Sequence, residues 1–492
     1  MNKLLPVVLM LSTINSFAQK PETFAKTITE EDLKKHLYVV ASAEMEGRET
    51  ATNGQRKAAV YIEDHFKKLG LQPGNGASYQ MNYDVYQDSL ISANLEVNGQ
   101  AFNLDKDFNP SVSNIPATLR FSEVVFIGSN AIDSLKNANL GGKLLMIVGI
   151  VPAANRSQGG GLISLLQSKG VAGILSVSNV YPRTSTFSRR GVQTISGFRK
   201  TLSPQQYTVS ENVARAIIGS DYDTVKNSLS IVKTYTADIL LDVKKTTLTA
   251  QSSNVVGVLP GTDLKDEYLF VTAHYDHLGK RGDSVIYYGA DDDGSGTVSV
   301  LEIAEAFAKA KAAGKGPRRS IVFMTVSGEE KGLWGSEYYS DHPLFPLDKT
   351  TADLNIDMIG RSDITRKGDT TNYVYVVGDD KLSSELKPIS EGINKKYTKL
   401  ELDYKFNDPD DKNRIYYRSD HYNFARKGVP IIFYYDGMLG GDYHRPTDTP
   451  DKINYALMAK RALLVFYTAW EMANRNDMLK RDMPLNKSIF NR

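Results

Sequence analysis

The segment His274-Tyr275-Asp276-His277 follows an apolar run, residues 268–273, that reads as a β-strand. Side chains alternate along an extended backbone, so His274 and Asp276 share a face and the carboxylate can orient or polarise the imidazole. Taken alone, the pair suits equally well a strand-end histidine hydrogen-bonded to a turn aspartate. Next, Gly289-Ala290-Asp291-Asp292-Asp293-Gly294-Ser295-Gly296 sets three adjacent carboxylates before a helical stretch. Their mutual repulsion requires a cation or a helix N-terminus to offset it, and the spacing does not fit an EF-hand calcium loop. Strand candidate 321–326 runs into Ser327-Gly328-Glu329-Glu330. Neighbouring side chains diverge there, so one Glu can ligate a metal while the other faces substrate as a base. Asp357 closes strand candidate 354–357, and Asp442-Tyr443-His444-Arg445-Pro446 offers an imidazole in a loop after strand candidate 430–434. Together these pieces form the ligand inventory of a two-metal hydrolase. With seven His and no Cys in the chain, any transition-metal site must be built from imidazole and carboxylate.

The elements that position these groups follow from periodicity. From residue 254 on, apolar strand candidates (254–259, 268–273, 321–326, 354–357, 430–434) alternate with helical stretches such as 297–312. That alternation predicts an α/β fold with a mixed sheet flanked by helices on both faces, where functional groups collect at strand ends. Upstream, Thr29-Glu30-Glu31-Asp32 reads as a helix start with Thr29 as N-cap, followed by Leu33, Leu37 and Val40 on one face. A second packing helix carries Ala58, Ile62, Phe66 and Leu69 and is stopped by Gly70 and Pro73. Between residues 102 and 236 the texture changes to short β-like runs (123–127, 144–148, 174–177) punctuated by Gly, Asn, Ser and Pro. Residues 142–175 read as strand, helix (162–168), strand. Gly159-Gly160-Gly161 lacks the Lys-Ser/Thr of a phosphate loop and is expected to be a flexible turn.

The ordered set His274-x-Asp276, Asp292, Glu329-Glu330, Asp357 and Tyr443-His444 resembles the co-catalytic dizinc aminopeptidases, a group that includes bacterial leucyl aminopeptidases and relatives of glutamate carboxypeptidase. The resemblance covers the N-terminal helices and roughly residues 254–474. It implies that His274 and Asp357 hold one zinc, Glu330 and His444 the other, and that Asp292, the middle of the triple, bridges them. It further implies a cis Asp292–Asp293 peptide, Glu329 as general base, Asp276 as orienter of His274, and Tyr443 as hydrogen-bond donor to the tetrahedral oxyanion. Two zinc ions about 3.5–4 Å apart would bring a bridging water's pKa toward about 7 and polarise a peptide carbonyl, although the ligand set also admits Co(II) or Mn(II). The 102–236 stretch resembles the protease-associated domain, on its Gly-Lys and Gly-Val-Ala-Gly-Ile segments.

The remaining histidines carry plainer expectations: His36 and His65 as surface residues, His342 in a Pro-flanked loop, His277 as a second hydrogen-bonding partner near the site. His421, in Tyr416-Tyr417-Arg418-Ser419-Asp420-His421, is expected to line the substrate pocket, with that run as a specificity element.

Composition sets the outer limits. Lys+Arg 59 against Asp+Glu 57 gives a formal charge of +2, so no basic footprint for nucleic acid exists. Lys3, the apolar run 4–11 and Ser16-Phe17-Ala18 read as an export signal cleaved after Ala18, giving a periplasmic or secreted protein with no stable membrane insertion. The expected organisation is a signal (1–18), an N-terminal part of the catalytic domain (19–101), an inserted protease-associated-like domain (102–236), the dizinc peptidase domain (237–475) and a short polar tail (476–492). The leading functional expectation is an exported zinc exopeptidase acting on peptides, foremost an aminopeptidase. Alternatives are a carboxypeptidase or dipeptidase of the same fold, a one-zinc glutaminyl cyclase, or a receptor-like binding module that has lost catalysis. The oligomeric state is left open by the sequence.

Overall fold

The computed structural model describes residues 20–128, 131, 135–148, 156–182, 188–198, 202–228 and 230–484, with the side chains of 156–161 outside the description. The expected signal lies outside the described residues. The chain divides into two compact units, one made of the residues up to Tyr83 with those from Gln251 on, the other of Asp84–Ala250. The second unit is wider than the expected 102–236 because two strands, Gln80–Val97 and Val232–Leu259, are far longer than their apolar runs.

In the first unit the N-terminal helices form as their spacing predicts. α1 (Glu30–Val40) is capped by Thr29, whose hydroxyl accepts from Asp32 N at 3.1 Å, and buries Leu33, Leu37 and Val40. α2 (Asn53–Lys68) buries Ala58, Ile62 and Phe66 and ends before Gly70, whose φ of 74° suits a glycine. The sheet then assembles from β1 (Val232–Leu259, through its residues 255–259), β2 (Leu264–His274), β3 (Arg319–Val326), β4 (Thr350–Ile356), β5 (Tyr373–Val377), β6 (Glu401–Asp403) and β7 (Ile431–Tyr435). Their order across the sheet is β6-β5-β7-β4-β2-β3-β1. β3, β2, β4 and β7 run parallel, and the register pairs His274 with Val326, Thr272 with Asn355 and Ile356 with Tyr434. β1 and β5 pair antiparallel with β3 and β7. Parallel strands put all their C-terminal ends on one edge, so the ends of four separate segments meet there.

Both faces of this sheet are covered, which is why its strands read as continuous apolar runs. Val271, Phe323 and Leu354 face a core shared with α1, α2, α3 (Gly296–Ala312) and the long helix α4 (Tyr455–Asn474). Phe270, Val322 and Met324 face the opposite core with Tyr339, Phe424 and Phe433. The long helix α4 buries apolar residues nearly all round, as central helices do. The expected polar tail is packed at Leu479, which is buried and whose N–H donates to Thr351 Oγ1 at 3.0 Å. Among the described residues no helix is long and apolar enough to cross a membrane.

In the second unit, strands Ala117–Ile127, Leu144–Val148, Gly173–Ser178 and Gln205–Ser210 are parallel neighbours, with Phe108–Pro110 antiparallel at the end. The expected strand-helix-strand is present, but its helix spans Arg156–Ser168 and takes in Gly159–161, so these glycines do not form a turn. Leu166, Leu145, Ile147 and Ile174 share one core there, and that packing offsets a glycine cost of about 1 kcal/mol each.

Candidate metal centre

Four loops leave the common edge of the parallel strands and supply the site. β2 ends at His274, β3 is followed by Glu329 and Glu330, β4 by Asp357, and the loop after β7 reaches Tyr443 and His444. Asp292 arrives from the bend before α3, where the Asp292–Asp293 peptide is cis as expected.

The three aspartates of that bend are used differently. Asp293 accepts from Gly296 N, Met358 N and His274 N, acting as a cap that ties α3 to β2 and β4. Asp291 accepts from Gly360 N at 2.7 Å. Asp292 alone turns toward the imidazoles: its Oδ1 lies 3.2 Å from His274 Nε2 and its Oδ2 3.1 Å from His444 Nε2. Asp357 Oδ1 stands 3.5 Å from His274 Nε2, and Glu330 Oε2 3.0 Å from His444 Nε2. Two donor groups therefore share Asp292, one completed by His274 and Asp357 and the other by Glu330 with an imidazole.

The fit of these residues to cations rests on their missing partners. His274 Nε2, Asp292 Oδ2 and Glu330 Oε1 are buried with no hydrogen bond, a costly state that an ion would relieve. His274 Nδ1 lies 3.1 Å from the main-chain oxygen of Asp276, which fixes the Nδ1–H tautomer and leaves the Nε2 lone pair free to ligate. The Asp276 carboxylate sits farther off, at 3.6 Å. It accepts instead from the Thr50 hydroxyl at 2.6 Å and from Glu329 N at 3.2 Å, so Asp276 joins the His274 turn to the Glu329 backbone. Imidazole orientation thus comes from the Asp276 carbonyl more than from the carboxylate expected to do it.

Glu329 faces a cavity that Asp292, Asp357 and Tyr443 also line, with Met358, Ile415, Phe433, Tyr435 and Leu439 as its apolar wall and Arg418 at the same cavity. Burial holds Glu329 well above the usual carboxylate range; His274 opposes this, and the carboxylates of Asp357 and Glu330 reinforce it. The Tyr443 ring stacks on His444 at 3.9 Å between centroids.

Some groups are nearer to, or farther from, the centre than the sequence suggests. His277 is fully buried, with Nδ1 2.7 Å from Glu330 Oε1 and 3.8 Å from Asp292 Oδ2, so it stands as an additional donor at the second position. Its sequence signal was its place in the His274 turn. Gly289, at φ 58°, is required beside it, since a Cβ would strike the His277 ring. Asp448 went unnoticed: it accepts from Asp291 N and Asp292 N and so holds the bend. Arg48, fully buried, was also missed; it donates to Tyr275 O and Gly289 O. Neither has a local motif that would reveal it. His421 is buried beneath the pocket, bonded through Nε2 to Tyr416 O at 2.8 Å, and does not line it. His36 and His65 are part-buried and meet edge-to-face at 4.7 Å between centroids, and α3 brings Glu302 to within 3.3 Å of His36.

Residues 254–469 match the model of peptidase family M28. The chain is similar to a probable leucine aminopeptidase of Arthroderma otae, 31% identical over 228 residues, covering 45% of this chain and 58% of that protein. It therefore spans less than two thirds of the length of the curated relatives it matches. Among solved structures, an aminopeptidase from Aneurinibacillus sp. strain AM-1 superposes with a TM-score of 0.55 at 17% identity, covering 94% of this chain and 99% of that one. A zinc aminopeptidase from Bacillus subtilis does so with a TM-score of 0.51 at 18% identity, covering 93% and 99%. At these identities the two structures attest the fold.

Proposed function

We propose, from the premise that residues 254–469 are a peptidase family M28 segment, that this chain is a zinc-dependent exopeptidase and, within that class, an aminopeptidase preferring apolar N-terminal residues. The observation that carries this reading is the pair of buried donor groups that share Asp292 while Glu329 faces the adjoining cavity. His274 and Asp357 would hold one zinc, Glu330 and His444 the other, with Asp292 common to both. Zinc bound there would supply Lewis-acid polarisation of the scissile carbonyl and a more acidic water. Glu329 takes the proton of the attacking water and returns it to the leaving amine. Tyr443 donates its hydroxyl to the carbonyl oxygen as that atom becomes tetrahedral. The apolar wall of Ile415, Phe433 and Leu439 receives the side chain of the residue removed, in keeping with the leucine aminopeptidase named among the relatives. Residues 84–250 are proposed as the protease-associated-like module, and residues 1–18 as an export signal whose removal leaves Gln19 first.

A fluorogenic aminoacyl panel, run with and without a chelator, tests the reading. The expected result is cleavage of leucyl substrates, abolished by chelation, restored by zinc, and blocked by Nα-acetylation but not by C-terminal amidation. The opposite blocking pattern would make the enzyme a carboxypeptidase. Purified protein that holds no metal would favour the receptor-like reading, and one zinc per chain in place of two would favour cyclase chemistry.

A further inference from the structure

Tyr443 can stabilise an oxyanion only if its hydroxyl hydrogen points into the pocket, and a phenol hydroxyl is a rotor with one donor and two acceptor positions. Arg418 settles the rotor. Its Nη2 donates to Tyr443 Oη at 3.0 Å. A guanidinium has donors only and stays charged, so the phenol oxygen must accept there and its own hydrogen is turned elsewhere. The Tyr443 ring plane is set independently by its stack on His444. Both side chains border the cavity that Glu329, Asp292 and Asp357 share.

Arg418 is exposed, yet its backbone stands on a buried base. Its N–H donates to Ile415 O at 3.0 Å. Of the three residues that follow, Ser419 Oγ accepts from Asn355 Nδ2 at 3.0 Å, Asp420 accepts from the Ser336 hydroxyl, and His421 bonds Tyr416 O and stacks on Phe433. An arginine needing only to be soluble has no use for such anchoring. The guanidinium is turned to the phenol at the border of the cavity.

We infer that Arg418 is a positioning residue for peptide hydrolysis, holding the Tyr443 hydroxyl as a donor toward the carbonyl oxygen and adding positive charge beside it. The inference rests on the hydrolytic reading above. It is tested on the full-length, zinc-loaded protein with Arg418→Ala, Arg418→Lys, Tyr443→Phe and the Arg418→Ala/Tyr443→Phe double variant. The substrate is whichever blocked or unblocked peptide the unaltered chain cleaves, so a wrong choice of peptide end is told apart from a wrong role for Arg418. The expected result is a roughly tenfold fall in kcat for Arg418→Ala with KM within about twofold, since the loss falls on the transition state. Arg418→Lys recovers most of it, and the double variant is no slower than Tyr443→Phe alone. Zinc content is unchanged throughout. A leucine phosphonate, a tetrahedral mimic, loses affinity about tenfold in Arg418→Ala while free leucine does not. This binding comparison decides the matter even for a chain that turns over no peptide. The inference is overturned if Arg418→Ala costs as much in the Tyr443→Phe background as in the unaltered chain. It is equally overturned if the loss lies in KM and only for acidic N-terminal residues, or if phosphonate and leucine weaken together.

Discussion

A cavity of about 660 Å³ opens in the unit Asp84–Ala250, whereas the one beside Glu329 measures about 30 Å³. The larger is lined by Asp88, Ser111, Arg190, Gln206 and Thr208, and two of these are engaged within the protein: Asp88 accepts from Lys245 Nζ at 2.6 Å, and Gln206 N donates to Asn114. The smaller adjoins imidazoles and carboxylates crowded against one another in a buried place, where His274 Nε2 and Asp292 Oδ2 make no hydrogen bond. No histidine lies between residues 84 and 250. The lesson is that chemistry follows unsatisfied buried donors, whose desolvation is costly until a ligand arrives, and not the volume of open space.

The largest loss is expected at Glu329. Glu329→Gln should lower kcat about a thousandfold while its zinc content by plasma mass spectrometry stays that of the unaltered chain; a variant turning over at full rate would refute the proposal of Glu329 as general base. A smaller effect is expected at His277. Replacing it with Ala should weaken zinc at the second position by about 10–100-fold in a competitive chelator titration, and unchanged affinity would make His277 a packing residue. His421 sharpens the contrast in stability. Burial pushes its imidazole down to about 3, below an unfolded value of about 6.5, so the unfolded chain binds the extra proton. Stability from this group is full above about pH 6.5 and is lost as pH falls toward about 3, by at most about 1.4 kcal/mol per pH unit. Urea unfolding across that window should show one proton less of dependence in His421→Gln; identical slopes would refute it. The smallest effect belongs to the other unit: Arg190→Ala should leave kcat/KM for short substrates within about twofold, and a larger loss would bring the open cavity into the reaction.

Much of the scaffold was legible because its signals are local. The Thr29 cap, the Leu33-Leu37-Val40 face and the runs that became β2, β3, β4 and β7 depend on neighbours within a turn or a few residues. Strand extent was less legible. In β1 the stretch 244–251 is polar and largely exposed, so nothing in its pattern marks it as strand. Likewise Gly159–161 argue for a turn until the packing around Leu166 is seen. At the site, the residue types and their order were readable, while the division of tasks among Asp291, Asp292 and Asp293 depends on which backbone amides of β2, β4 and α3 come within reach.

The sequence by itself determined the donor chemistry: imidazole and carboxylate without thiolate, at strand ends, in the order His274, Asp292, Glu329-Glu330, Asp357, His444. Tertiary structure decided which of those atoms converge. Parallel register places four strand ends on one edge, which brings together residues as distant in sequence as His274 and His444 around Asp292. It also decided that His277 joins the centre, that the Asp276 carboxylate turns to Glu329 N, and that Arg418 meets Tyr443. Such contacts depend on the directions of side chains held by separate elements, and a linear pattern carries no record of those directions.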